Sequence, residues 1–161
     1  MKRFINRFKE TIYKDDLKRV LLNGFIQMLL FSILAGALQY FVGELLGVSF
    51  GILVYLFSFM IGMKVRDSFF SYHILYPIIS IIYFLIGYFI YYLTLYTFIF
   101  HDIILAVSYL FNWDGISNII FGFLNFKTYV DERYIFNNII DILIFGSAIY
   151  TTYTIPNRKN N

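Results

Sequence analysis

The sequence predicts an all-α integral membrane protein with four transmembrane helices, and three observations lead to this fold class. Hydrophobic residues make up 60% of the 161-residue chain and charged residues only 14%, unlike the average soluble domain. Apolar stretches of about 20 residues recur, the length that crosses a hydrocarbon core of about 30 Å. Most Lys and Arg residues fall where an even number of spans places them on one side of the membrane. The chain is therefore expected to form a single membrane domain over residues 1–161.

The N-terminal segment, residues 1–19, is expected to form an amphipathic helix at the membrane interface. It carries seven of the thirteen Lys and Arg residues, while Phe4, Phe8 and Ile12 recur every four residues. Such a helix would lie with its aromatic face in the acyl boundary and its basic face against anionic lipid. The alternative is an ordinary solvated basic flank that only sets the topology.

The first two spans, residues 20–42 and 47–63, are expected to form a glycine-seamed hairpin. The second span carries Gly47, Gly51, Ser58 and Gly62 at spacings of four, seven and four, which places them on one helix face. The first span has a similar stripe, made of Gly24, Met28, Ser32, Ala35 and Gln39. Small residues let two helix backbones approach closely in lipid, so the stripes are expected to face each other. The alternative is that the second stripe forms a homodimer interface.

The third span is expected over residues 72–95, with Pro77 bending it near its start. It belongs to an almost unbroken apolar stretch from 69 to 111, long enough for a hairpin of two shorter spans. Because residues 88–101 contain no Gly, Pro, Asn or Asp, a tight turn there has no support, and the single span is preferred. Residues 98–133 then form an outer interfacial or re-entrant segment, with Trp113 suited to the headgroup level.

The fourth span is expected over residues 134–153, followed by a cytoplasmic tail at 154–161. It contains the one acid inside a predicted span, Asp141, together with Asn137 and Asn138. An ionised carboxylate is costly in lipid unless it is paired or wet. The three residues therefore form either a shallow polar group that reaches outer interfacial water, or an intramembrane site that responds to protons or cations.

The charge distribution predicts the orientation of these spans. With a cytoplasmic N-terminus, eleven of the thirteen Lys and Arg residues lie inside, and only Lys127 and Arg133 lie outside. The positive-inside rule then places both termini in the cytoplasm and the protein in the cell membrane.

Chemistry-bearing motifs are few. The chain has no cysteine, which excludes disulfides, thiolate metal sites and thiol nucleophiles. The adjacent His101 and Asp102 would point about 100° apart on a helix, so they do not form a proton-transfer pair. The net charge of +3 is too small and scattered for nucleic-acid binding. No catalytic residue, metal ligand or cofactor is therefore expected.

Two function classes remain open from the sequence. The first is a non-enzymatic accessory, assembly or interaction component that works through helix packing, either with another membrane protein or as a homo-oligomer. The second is a small oligomeric transporter or channel for protons, cations or small solutes. The first is preferred because the sequence lacks the repeated halves and broken helices that are typical of transporters.

Overall fold

The computed structural model describes residues 12–46, 51–113, 115 and 132–158, and this part of the chain is all-helical. It forms five helices without a strand in the described ranges. In chain order they are α1 (Lys14–Leu46), α2 (Gly51–Ser68), α3 (Leu75–Phe100), α4 (Ile103–Phe111) and α5 (Glu132–Asn157).

The first helix is a single rod that begins within the basic segment. It has 33 residues, about 50 Å at 1.5 Å per residue, which exceeds a hydrocarbon core of about 30 Å. Asp15 and Asp16 lie in its first turn, where acidic side chains interact favourably with the positive end of the helix dipole. The helix continues through the predicted boundary between residues 19 and 20. Residues 1–11 of the predicted interfacial helix lie outside the described ranges.

The third helix begins with a proline that fits its first turn. Pro77 is the third residue of α3, where a backbone N–H would have no intrahelical partner, so the ring removes no helix bond there. The His73 Nδ1 atom accepts a hydrogen bond from the Leu75 N–H at 3.2 Å, which satisfies one of the other free donors. Pro77 thus starts this helix, whereas the sequence suggested that it would bend it.

The corner between α3 and α4 forms without glycine. His101 ends α3 in the left-handed region at φ 54°, and Asp102 is the N-cap of α4. The Asp102 Oδ1 atom accepts a hydrogen bond from the Ile104 N–H at 2.7 Å. The two residues act as a helix stop and a helix start. The short helix α4 lies inside the segment 98–133.

The four long helices pack as two parallel pairs. α1 packs most extensively against α3, and α2 against α5; α1 also contacts α2, and α3 contacts α5. Along the first pair, Gly24 lies against Tyr83, and Gly36 lies against Tyr91 and Thr94. Because the residue numbers of the contacting positions increase together on the two helices, α1 and α3 run in the same direction.

Glycine sets the closest approach in the centre of the bundle. A Cβ atom on Gly87 would collide with the Phe57 ring, and it would lie 2.7 Å from Ser32 Oγ and 3.0 Å from Met28 Cγ. These neighbours belong to α1 and α2, so three helices meet at a residue of α3 that has no side chain. The core around this point is aromatic, with the Phe57 and Phe84 ring centroids 5.6 Å apart.

Within the described residues, two helices are long and apolar enough to cross a membrane. They are α1, over Lys14–Gly43, and α3, over Leu75–Phe100. Only 33% of the most apolar window of each helix is buried inside the bundle. The core helix of a soluble protein would be mostly buried, so these helices carry much more exposed apolar surface than a soluble core requires.

Candidate functional site

The four long helices meet at one end of the bundle, which we call the charged end. It comprises the first turns of α1, the last turn of α2, residues 69–74 and the end of α5. Basic side chains gather there: Lys14, Lys18, Arg19, Lys64, Arg66 and Arg158. All but Arg66 are exposed, and Arg66 is partly so. The charged end is where polar contacts between elements concentrate among the described residues.

A buried carboxylate ties the α2–α3 connection to the start of α1. Asp16 is only 5% exposed, and its Oδ2 atom accepts hydrogen bonds from the Phe70 and Ser71 N–H groups, both at 3.0 Å. Hydrogen bonds to an ionised acceptor are stronger than neutral ones. One side chain on α1 therefore satisfies two donors of a connection that lies 54 and 55 residues away in sequence.

Further contacts join the remaining helices at the charged end. The Asn23 amide donates to Ser68 Oγ at 3.3 Å, which joins α1 to the end of α2. The Tyr72 hydroxyl donates to Asn157 Oδ1 and so fixes the α2–α3 connection to α5. The Arg19 guanidinium lies 5.1 Å from the centre of the Phe70 ring, within cation–π range.

Three buried polar atoms at the start of α3 have no hydrogen-bond partner among the described residues. They are His73 Nε2, Tyr76 Oη and Ser80 Oγ, and their residues are at most 2% exposed. His73 lies two residues before α3, and Tyr76 and Ser80 are one helical turn apart within it, on the same side. Buried polar groups of this kind are usually satisfied by an ordered water molecule or a bound polar ligand. This row of three polar residues inside an apolar stretch was not recognised from the sequence.

The predicted packing residues of α2 are described in part. Gly47 lies outside the described residues; Gly51 is the first residue of α2, and its surroundings lie outside them too. A Cβ atom on Gly62 would lie 3.2 Å from Ile155, and the Thr152 hydroxyl lies 3.5 Å from the Ser58 carbonyl oxygen. Both contacts are with α5. These two seam residues thus contact the last helix, whereas the sequence suggested that they would face the first.

The predicted intramembrane polar residues lie on α5. Asn137, Asn138 and Asp141 belong to the first half of this helix, and their side chains lie outside the described residues. Asp141 is nine residues after Glu132, about 14 Å along the helix axis. The structure therefore places these residues away from the charged end, at which α5 terminates.

The comparisons found no relative from which a function could be transferred. No protein-family model, curated protein or solved structure matches this chain. Within the described ranges, no group of three or more His, Cys, Asp or Glu residues is placed to hold a metal ion.

Asp16→Ala should lower the free energy of unfolding in detergent by about 1–3 kcal/mol, because it leaves two backbone donors without their charged acceptor. The matched control is Asp15→Ala, since Asp15 lies in the same helical turn but is exposed. Both variants lose a favourable helix-dipole interaction, so the difference between them isolates the buried contact. Equal stability of the two variants in a denaturant titration would contradict this role of Asp16.

Gly62→Leu should destabilise the bundle by roughly 1–3 kcal/mol, because the added side chain overpacks against Ile155. Adding Ile155→Ala should relieve part of the overpacking. The loss of unfolding free energy in the double variant should therefore be smaller than the sum of the two single losses, by roughly 0.5–3 kcal/mol. Phe59→Leu, at a 39% exposed position of the same helix, is the control with little effect. Strictly additive effects, accompanied by loss of a dimer, would instead assign Gly62 to a homodimer interface.

Proposed function

We propose that the protein is a four-span component of the cell membrane, with both termini cytoplasmic, and that it acts without catalysis by packing against lipid and other membrane helices. In this proposal α1, α2, α3 and α5 cross the bilayer, and α4 lies at its outer surface. The role is that of an accessory, assembly or interaction component, with a second membrane protein or a homo-oligomer as its partner.

The outward surface of α1 supports the membrane location. Its exposed large side chains are apolar over about six turns, from Leu21 to Phe41: Leu21, Leu22, Phe25, Ile26, Leu30, Ile33, Leu34, Leu38 and Phe41. Contiguous apolar surface of this extent on a protein marks contact with a membrane or another protein. The basic residues of the charged end lie beyond this surface, as the positive-inside rule expects for a cytoplasmic face.

The short helix α4 supports the outer interfacial assignment. It buries Ala106 and Leu110 against the rest of the protein, while Ile104 and Phe111 are 75% and 69% exposed. With nine residues, about 14 Å, α4 is too short to cross a hydrocarbon core. It follows α3 at the end opposite the charged end, so it suits the outer headgroup region with its apolar side toward the acyl chains.

The observation that carries the packing role concerns the hydroxyl groups of the helices. Ser58 and Thr152 donate to carbonyl oxygens of their own helices at 2.7 Å, and Ser32 donates to the Met28 carbonyl. Thr94 and Thr97 do the same on α3, at 2.9 and 2.7 Å. Hydroxyls used in this way satisfy themselves locally and do not present donors to a solute. The described interior is thus built for close helix contact.

A second candidate function is supported by a different observation. The unpartnered row of His73, Tyr76 and Ser80 is a polar patch within an otherwise apolar bundle, and Asp141 lies on α5 farther from the charged end. Buried polar and ionisable groups in membrane proteins often mark ion pathways. The second candidate is therefore a small transporter or channel for protons, cations or small solutes that encloses its pathway by oligomerising.

The four-span topology predicts opposite labelling of two serine positions when each is replaced by cysteine. The chain has no cysteine of its own, and Ser71 and Ser108 are both exposed. Because Ser71 lies at the charged end and Ser108 on α4, Ser108→Cys should react with an impermeant thiol reagent added to intact cells. Ser71→Cys should react only after the membrane is permeabilised. Labelling of Ser71→Cys alone in intact cells would contradict the orientation. Labelling of both cysteines in intact cells would contradict their placement on opposite sides of the bilayer.

Purification in mild detergent followed by reconstitution tests the proposed role. We expect a stoichiometric membrane partner or a stable homo-oligomer, and vesicles that contain the purified protein should show no proton or cation flux above lipid alone. Asp141→Asn should leave oligomer size and vesicle permeability unchanged. It should be neutral or slightly stabilising, since replacing the carboxylate removes a desolvated charge.

The transporter alternative predicts the opposite result in the same vesicles. Wild-type protein would carry a pH-driven flux, and Asp141→Asn would abolish it while folding and oligomer size stay intact. Such a flux would overturn the packing role and leave the membrane topology untouched.

A further inference from the structure

A groove opens on the outside of the bundle beside the charged end. It has a volume of about 470 Å³ and follows the first three turns of α1. Its apolar lining comes from Leu17, Leu21, Leu22 and Phe25 of α1 and from Tyr83 of α3. From residue 14 to residue 25 the groove extends about 16 Å along the helix axis. Its shape suits an elongated apolar group.

The floor of the groove is fixed by a tyrosine that lies over a glycine. A Cβ atom on Gly24 would lie 2.6 Å from the Tyr83 ring, so the ring occupies the space that a side chain would fill. The Tyr83 hydroxyl donates to the Leu21 carbonyl oxygen at 2.8 Å, which holds the ring in place. The groove is therefore a consequence of the α1–α3 contact and does not depend on a mobile side chain.

Two lysines line the end of the groove that lies nearest the charged end. Lys14 and Lys18 are one helical turn apart, both are exposed, and neither forms an ion pair with a described residue. By contrast, Arg19 lies over the Phe70 ring. The site thus has a row of apolar side chains along its length and two available positive charges at one end.

We propose that this groove binds an anionic phospholipid, with one acyl chain along Leu17, Leu21, Leu22 and Phe25 and the phosphate between Lys14 and Lys18. The inference rests on the proposed membrane location, because it requires the charged end to lie at headgroup level. The occupant is chosen by charge complementarity: an amphiphile with an apolar chain and a negative head matches both parts of the site. Lipid tails are as apolar as leucine, so selectivity for this lipid comes from the lysines.

The test uses a tryptophan placed in the groove as a reporter of the lipid beside it. Leu22 is 58% exposed and tolerates a larger side chain, and the native Trp113 is the only tryptophan. The variant Leu22→Trp, in a Trp113→Phe background, is reconstituted into phosphatidylcholine vesicles. A minor fraction of the lipid carries bromine on its acyl chains, which quenches tryptophan fluorescence, and this lipid is either phosphatidylglycerol or phosphatidylcholine. Quenching should favour the anionic lipid, by about fivefold in relative affinity for each lysine that contacts its headgroup.

Charge variants distinguish a site from general attraction to a basic surface. Lys14→Gln together with Lys18→Gln should abolish the preference for phosphatidylglycerol at the Leu22→Trp reporter. The matched control, Lys64→Gln together with Arg158→Gln, removes two exposed charges from the same end but outside the groove, and should leave the preference in place. A second reporter, Leu34→Trp, is 54% exposed on α1 beyond the groove and should show no preference. Equal loss of preference in both charge variants would overturn the site.

The reporters also separate failure of the lipid site from failure of the membrane proposal. If neither reporter is quenched by either lipid, the membrane location itself is overturned. If Leu34→Trp is quenched and Leu22→Trp is not, a protein segment or a second copy covers the groove, and the lipid site is overturned. If both reporters are quenched equally by the two lipids, the protein is in the membrane and the groove has no anionic lipid preference, which also overturns the site.

Discussion

Glycines on α1 and α3 leave room for bulkier groups on the neighbouring helices, and this steric constraint shapes how these helices pack. Tyr83 occupies the space over Gly24, and Gly36 faces the Tyr91 carbonyl and Thr94. Here the glycine is on α3: Gly87 leaves room for the Phe57 ring of α2. Two stripes of small residues facing each other would bring backbones together but would leave the rings without a complementary surface. In the proposed membrane location, dispersion contacts across a well-filled interface would be the main gain, so a glycine opposite a bulkier group packs better than two facing stripes of small residues.

A second constraint acts at the charged end, where the backbone leaves helical geometry between α2 and α3. The N–H groups of residues 70 and 71 both donate to the buried Asp16, so a single carboxylate serves as acceptor for both. With Asn23 on Ser68 and Tyr72 on Asn157, all four long helices are tied together within a few turns. This end fixes the position of α1, and therefore the position of Lys14 and Lys18 relative to Tyr83.

The helical class could be predicted from composition and apolar run length, and the positions of helices in the chain followed from the same signals. The pairing of helices could not be predicted. The sequence shows which helix faces carry small residues, but not which neighbouring helix packs against them. The corner at His101 and Asp102 was missed for a related reason. Residues 88–101 contain no Gly, Pro, Asn or Asp, yet a left-handed His101 followed by Asp102 as an N-cap makes the corner. The role of Asp16 could not be predicted, because its donors are backbone N–H groups more than fifty residues away. Every residue type except proline has such a group, so the pattern of side chains does not identify them.

The parallel pairing of α1 with α3 and of α2 with α5 has a consequence for assembly during synthesis. Neither principal interface joins helices that follow one another in the chain, so a nascent hairpin of α1 and α2 emerges with Gly24 lacking Tyr83 and Gly62 lacking Ile155. Tyr83, which lies over Gly24, arrives only with α3, and Ile155, which lies against Gly62, arrives only with α5. The bundle therefore cannot be completed before α3 and α5 are in place. In the proposed membrane location, the half-made protein would expose two close-packing surfaces to other membrane helices.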